Sequence, residues 1–374
     1  MPIAISGFER LAGEILSIYA EAEETMLHRV ASHLGRGTAS ERWADRKYSE
    51  AAQVSKEMQK VIKDLKAGRT SIYTEAVQSA WDSSSKQFVT DAHKIAEAYG
   101  IAAIAPNAPK VISILSELDN TYAAEDCVIL RKINDAYADI IGRCTAKVAT
   151  GTITYRDAVK HELEEFAKKG ISGFVDKNGH SWDMATYAEM ATLTAIERAT
   201  LYGYVDTMQE YGYDLAIISS HAGACPLCVS WEDVIVSVSG NDLDYPSLDD
   251  AIDAGCFHPR CLHYLSTYYP GITEGGRNAP RPVEEPSNEY SSRQLQRYYE
   301  RKIREWKRRM AVATDPKSER EAYARVRMYQ YKVRMQIKNY DSSDDQLMRK
   351  YWREGGRQTL TPEARRLKPV RLSR

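Results

Sequence analysis

The sequence predicts a mostly α protein: an N-terminal helical domain, a central α+β domain that ends in a small loop module, and a C-terminal helical hairpin. Three observations predict it. Residues 3–105 and 110–225 contain no proline and carry apolar residues at steps of three and four. From Gly151 onward, short apolar runs and turn chemistry interrupt that periodicity. After a segment rich in proline and glycine, residues 270–286, two basic amphipathic stretches follow.

The elements follow in chain order. Phe8, Leu11, Ile15, Ile18, Ala22, Met26 and Val30 stripe a first helix, and Tyr48, Val54, Met58, Val61 and Leu65 a second. Gly35-Arg36-Gly37 separates them, and Lys66-Ala67-Gly68 is expected to end the second. A third helical region spans residues 71–99. A fourth starts at Lys110 after Pro106-Asn107-Ala108-Pro109, with a bend or restart near Ala123, and runs through Cys144. Residues 1–150 therefore read as a helical domain.

Thr154 is placed to cap a helix that stops at Gly170. Residues 171–182 read as a hairpin turning at Asn178-Gly179. A helix over residues 184–211 closes at Gly212, and residues 214–219 form a short strand. Trp231, Val234, Ile235 and Val236 suggest another strand, and Ser247 caps a short helix ending near Gly255. Residues 151–269 are thus the α+β domain, and residues 270–290 a linker arm. Leu295, Tyr299, Ile303, Trp306 and Met310 stripe one helix of the final region, residues 291–374. Tyr323, Val326, Val333, Ile337 and Tyr340 stripe its partner, with Asp315-Pro316 at the turn. The last 20 residues have no apolar face and read as a basic tail.

Composition narrows the function classes. Six cysteines in 374 residues do not make a disulfide scaffold. No apolar run approaches the roughly 20 residues that span a bilayer, and the first residues lack a signal-peptide layout, so a cytoplasm is the expected folding compartment. The net charge of −1 conceals a split: residues 291–374 hold 24 Lys+Arg against 10 Asp+Glu, and the rest of the chain is correspondingly acidic. Such a basic region meets nucleic acid or an acidic protein surface, or is simply a solvated helix pair. Arg297, Arg301, Lys302, Arg304, Lys307, Arg308 and Arg309 are the candidate nucleic-acid contacts, interleaved with Tyr298, Tyr299 and Trp306. Tyr299 and Trp306 fall on the apolar stripe, which favours burial for both.

The most specific feature lies in residues 221–263: His221, then Cys225-Pro226-Leu227-Cys228, then 27 residues, then Cys256-Phe257-His258-Pro259-Arg260-Cys261-Leu262-His263. Cys-x-x-Cys puts two sulfurs on one tight turn, and a second cluster about 30 residues on can complete a tetrahedron. Zinc suits soft thiolates and can hold together a loop-rich module. Cys225, Cys228 and Cys261 are the expected ligands, with His258 or His263 as the fourth; Cys256 and His221 are outsiders. A packed metal-free cluster, a redox pair and a disulfide are the competing readings. Cys127 and Cys144, in helical regions, are expected to be small core residues.

These residues carry a resemblance. Ser219-Ser220-His221, Cys225-Pro226-Leu227-Cys228 with Trp231, Tyr245-Pro246, His258-Pro259-Arg260-Cys261-Leu262-His263 and Tyr269-Pro270-Gly271 resemble the phage minor capsid protein 2 family of tailed phages and prophages of Gram-positive bacteria. Trp182 to Met190 and Gln294 to Arg304 resemble it too, so the likeness covers roughly residues 150–340 and, more weakly, the helical N-terminus. One departure is Leu193-Thr194, where the family has Arg-Thr. The His-Pro-x-Cys-x-His ending is also similar to the His-Pro-x-Cys-x-Cys ending of Mu F-like head morphogenesis proteins. That exchange slightly favours His263 over His258 as a ligand.

The resemblance implies a structural minor component of the phage head, present in multiple copies per virion and associated with the portal vertex. Its implied partners are the portal protein, the major capsid protein and packaged double-stranded DNA, with no membrane partner. It implies a place in the virion, after assembly in the host cytoplasm. Two other readings stay open: a nucleic-acid-binding regulator using the basic hairpin, and an ADP-ribosyltransferase-like enzyme. The second rests on fold analogy alone, with His180, Tyr187 and Glu189 as its unremarkable candidates. No nucleophile elbow, Walker loop or zinc-protease motif occurs, so a non-enzyme is expected.

Overall fold

A computed structural model describes residues 5–99, 109–151, 153–175, 181–221, 223–282 and 288–340. It is mostly helical, with α1 (Ile5–Leu34), α2 (Trp43–Tyr99), α3 (Pro109–Ala149), α4 (Tyr155–Lys169), α5 (Met184–Glu210), α6 (Leu248–Asp253), α7 (Asn288–Ala311) and α8 (Pro316–Tyr340). The strands are β1 (Ser172–Val175), β2 (Ser181–Asp183), β3 (Leu215–Ile218), β4 (Ile235–Ser237) and β5 (Leu265–Thr267). No helix among the described residues is long and apolar enough to cross a membrane. The chain packs into two compact units. One gathers Met1–Ala12, Ile72–Asp119 and Met190–Gln294; the other gathers Gly13–Ser71, Asn120–Glu189 and Leu295–Arg374. Helices α1, α2, α3, α5 and α7 each give residues to both.

The second unit is the more helical. Ile15 and Met26 of α1 and Met58 and Leu65 of α2 are buried on the expected stripes, whereas Tyr48 of the second stripe is exposed; Tyr19 and Leu27 of α1 and Tyr122, Ile129 and Ile133 of α3 are buried as well. Each such side chain, fully buried, contributes about 1.5–3 kcal/mol. Two expected breaks do not occur: α2 runs unbroken through Gly68, and α3 through Ala123. A mid-helix glycine costs about 1 kcal/mol, and the neighbouring Arg69 outweighs it. Arg69 is fully buried, grips both Asp126 carboxylate oxygens at 2.6 and 2.7 Å, donates to the Tyr19 hydroxyl at 2.7 Å, and lies 4.6 Å from the centre of the Tyr122 ring.

Local signals in this unit are realised closely. Thr154 accepts from Asp157 N and caps α4, and Gly170 ends it with φ 74°. A side chain at Gly170 would also collide, its Cβ falling 2.8 Å from Glu23 Oε1 and 3.0 Å from the Arg308 guanidinium. Strands β1 and β2 pair antiparallel as a hairpin, whose expected Asn178-Gly179 turn lies outside the described residues. Helices α7 and α8 form the expected hairpin around Ile303, Val326 and Val333, flanked by Tyr299 and Trp306. The expected basic tail lies outside the described residues.

One expectation here is corrected: Cys127 is exposed on α3, whereas Cys144 is buried as expected. Glu162 of α4 is buried and bridges Lys147 at 2.5 Å and Arg143 at 3.5 Å.

The first unit carries a three-stranded antiparallel sheet in the order β4-β3-β5, with Ala216 opposite both Val236 and Thr267. Its core joins Phe88 and Ala92 of α2 and Tyr204, Val205 and Met208 of α5 to Ala216, Ile218, Val234, Val236 and Leu265 of the sheet region. Trp231, Leu248, Ala251, Cys228, Cys256 and Cys261 belong to the same cluster, so the loop module shares a core with long helices. Ser247 closes a full capping box with Asp250 at the start of α6. Residues 270–282 of the stretch expected as a linker form no helix or named strand, and α7 already begins at Asn288; Arg277 pairs with residues 233–235 through two 2.8 Å backbone bonds.

Candidate metal centre

The module is built from two tight turns. In the first, Cys228 N and Val229 N donate to Cys225 O at 3.1 and 3.0 Å, leading into one turn of 3-10 helix, Val229–Trp231. In the second, Cys261 N donates to His258 O at 2.8 Å. Three described non-glycine residues have positive φ: Asp233 at 61°, Phe257 at 54° and Arg260 at 68°. All three lie in the module; Phe257 and Arg260 flank His258 and Cys261. Each costs roughly 1–3 kcal/mol, a strain that persists where surrounding structure holds it.

These turns bring together all five residues expected as metal ligands. Cys225 Sγ lies 2.9 Å from His258 Nε2, Cys228 Sγ 3.7 Å from Cys261 Sγ, and Cys261 Sγ 3.3 Å from His263 Nδ1. The donors form two overlapping triads, Cys225–Cys228–His258 and Cys228–Cys261–His263, each with its ligand atoms within 4.8 Å of one another. Cys228 is buried and common to both. His258 and His263 thus both reach the cluster, on different thiols. Cys256 is buried and adjoins Cys228, and the His221 ring packs 4.3 Å from the His263 ring. All six cysteines are free thiols.

The protons are distributed as thiol–imidazole chemistry dictates. Hydrogen bonds from Cys228, and then from His258, hold the Cys225 thiol down at about 3. Cys228, and then His263, hold Cys261 at about 4. Cys228 itself is driven far up, because it serves as donor to its neighbours and is buried. His258 rises to about 9, chiefly through Cys225. For His263 burial opposes the charge, but Cys261 and Glu232 outweigh it and lift it to about 9. The cluster is therefore two thiolate–imidazolium pairs around one neutral thiol. A divalent cation would replace those protons as the common counter-charge. Three sulfurs and two imidazole nitrogens are a donor set that fits a soft or borderline metal ion, and the cluster could hold one.

One residue of the site was not legible in advance. Glu232 is buried and accepts from His263 Nε2 at 3.3 Å, His221 N at 2.9 Å and Arg281 Nη2 at 3.1 Å. A lone glutamate after a tryptophan carries no spacing signal.

The candidate nucleic-acid contacts divide. Arg304 and Arg308 are buried. Arg308 donates to Ala167 O at 3.1 Å and pairs with buried Glu23 at 3.3 Å, and Arg304 donates to Thr186 Oγ1 at 3.0 Å. Both charges are directed into the helical unit, not at a ligand. Arg297, Lys302, Lys307 and Arg309 are partly exposed and Arg301 is exposed. Lys302 pairs with Glu305 at 2.7 Å, and Arg309 lies 4.0 Å from the Trp306 ring centre. Helix α8 adds exposed cations that were not singled out: Lys317, Arg320, Arg325, Arg327 and Lys332. Of the enzyme candidates, Glu189 is buried, Tyr187 is half-buried with its hydroxyl pKa raised by burial, and His180 lies outside the described residues.

Comparison with known proteins gives a consistent result. The sequence profile described as Phage minor capsid protein 2 matches residues 5–338. A "Structural protein" of Lactococcus phage LL-H is 30% identical over 234 residues, 58% of this chain and 61% of that relative. The chain therefore aligns with less than two thirds of that protein's length. A "Structural protein" of Lactococcus phage mv4 is 33% identical over 116 residues, 29% of this chain and 90% of that relative. No solved structure matches. The profile spans the helical stretches, the Cys/His module and the C-terminal hairpin alike, and the chain belongs to the phage minor capsid protein 2 family.

Proposed function

We propose that the protein is a non-catalytic minor component of the phage head, acting at the portal vertex during head assembly in the host cytoplasm and retained in the virion in multiple copies. The family match over residues 5–338 carries this reading. Within it, the Cys/His module is a structural zinc site. Thiolates and imidazoles at these spacings favour zinc, and a closed site would hold turns that contain three strained residues. The portal protein and the major capsid protein are the proposed protein partners.

Contact with packaged DNA is assigned to the C-terminal hairpin. Arg320 and Arg327 are exposed on α8, two turns apart, with Tyr323 between them also exposed. With Arg297, Arg301, Lys302, Lys307 and Arg309 of α7 they form the cationic surface, and Arg304 and Arg308 are excluded from it by burial. Such binding is sequence-independent and weakens as counterions are supplied. Duplex affinity of the full chain should therefore fall linearly on a log–log salt plot. Arg320→Ala/Arg327→Ala should make that slope shallower by about 2; an unchanged slope would remove α8 from the surface.

The head-assembly reading is tested by deletion in the phage. The expected outcome is loss of DNA-filled heads, with the protein present in purified wild-type heads and retained by immobilised portal protein. Normal heads after deletion, with none of the protein in wild-type particles, would overturn it.

A further inference from the structure

We infer that Glu232 is a positioning residue for the metal centre, and that through it the bound metal latches the arm at residues 276–281. This rests on the zinc reading of the cluster. The carboxylate stands between the two structures: Oε1 faces His263 Nε2 at 3.3 Å and His221 N at 2.9 Å, and Oε2 faces Arg281 Nη2 at 3.1 Å. With Nε2–H donating to Glu232, the proton that a metal would displace from His263 is the one on Nδ1, and the Nδ1 lone pair would then face the side of Cys261, where a metal ligand needs it. Outer carboxylates of this kind orient ligand histidines and raise their basicity.

The arm is held along the same turn. Ile235 N donates to Arg277 O and Arg277 N to Asp233 O, both at 2.8 Å. Arg281 N donates to Ser230 O at 2.9 Å, and Arg281 Nε to Val229 O at 3.0 Å. The Arg277 guanidinium donates to the Glu232 carbonyl. Gly276, at φ 90°, lies so close to Ile235 that a Cβ would come within 2.7 Å. Every partner of the arm here belongs to residues 229–235, the segment that follows ligand Cys228. The arm therefore docks on a surface whose shape depends on Cys228 and His263 being held together. Loss of the metal frees those ligands and, with them, the docking surface.

Arg277, followed by Asn278, is itself a tryptic site, whereas Arg281 is shielded by Pro282, so the latch can be read at Arg277. Zinc content, zinc release to a chromogenic chelator and limited trypsin digestion are measured on the full-length protein, with cut sites assigned by mass spectrometry. Zinc-loaded protein is expected to resist cleavage after Arg277. Stripping the metal should speed that cut by about tenfold or more, in proportion to the open population, with helical circular dichroism retained. Glu232→Gln should still bind zinc but release it about 10–100-fold faster, and should expose the arm even when loaded. Arg281→Met should keep its zinc-release rate and expose Arg277 alone.

The failures are distinguishable. Stoichiometric zinc with cleavage at the arm unaffected by its removal would overturn the latch and leave the zinc reading standing. An unchanged zinc-release rate in Glu232→Gln would overturn the positioning role. Wild-type protein without zinc would overturn both readings at the first step.

Discussion

The two compact units bury polar groups by opposite means. The unit built around the β3 sheet concentrates three thiols and two imidazoles at one point and surrounds them with strained turns. The helical unit spreads its buried charges in pairs, each neutralised by protein: Arg69 with Asp126, Arg308 with Glu23, and Arg304 beside Asp183. Glu23 lies wholly inside, with burial pushing its pKa up, but it accepts from Ile171 N at 2.7 Å and faces Arg308. The difference is one of autonomy. An Arg–carboxylate pair needs nothing added, whereas the thiolates are balanced by imidazole protons that a metal would replace as the common counter-charge.

The comparison breaks first at Cys228. Cys228→Ser removes the ligand shared by both triads. It should abolish metal binding and lower the melting temperature of the unit that holds the site, with no further effect of chelator; calorimetry with and without chelator reads this. The next effect belongs to the helical unit. Glu23→Ala strands Arg308 in the interior and should cost about 3–5 kcal/mol in denaturant unfolding. Glu23→Leu/Arg308→Met, which removes both charges, should recover much of it, and none of this should respond to chelator.

A smaller effect has the opposite sign. Glu125 is buried, and its pKa stands at about 8 because burial dominates over Arg69, with Asp126 and Asp183 adding to the rise. The folded state then holds this proton more tightly than the unfolded chain. Its contribution is most favourable below the ordinary carboxylate pKa and declines as pH rises toward about 8. Glu125→Gln should stabilise the protein by roughly 2 kcal/mol at pH 8 and change little at pH 4, as thermal melts across that range will show. The smallest effect is local: Ser247→Ala opens the capping box of α6 and should cost about 1 kcal/mol.

What was legible in the sequence was local or chemically singular. Thr154, Gly170, Gly212 and Ser247 mark helix ends through bonds to residues a few positions away, so each could be read without the fold. The Cys/His cluster joins residues 33 positions apart, but thiols in paired turns are a chemically distinctive pattern, and it survived the distance. Arg304 and Arg308 looked like surface cations because helical spacing does not show which face meets an acid. The acid paired with Arg308 lies 285 positions away. The same applies to Gly68, where a local helix breaker is overruled by the Arg69–Asp126 pair across two helices. Glu232 was hidden because a residue that orients ligands without binding metal leaves no motif.

The most direct test of this account is elemental analysis of the full-length wild-type protein beside Cys228→Ser, with thiol counts on both. The account predicts about one zinc per chain in the wild type and essentially none in the variant, with a loss of thermal stability that chelator reproduces in the wild type. A wild-type protein with no metal, reactive free thiols at the cluster and a melting curve indifferent to chelator and to the substitution would contradict it.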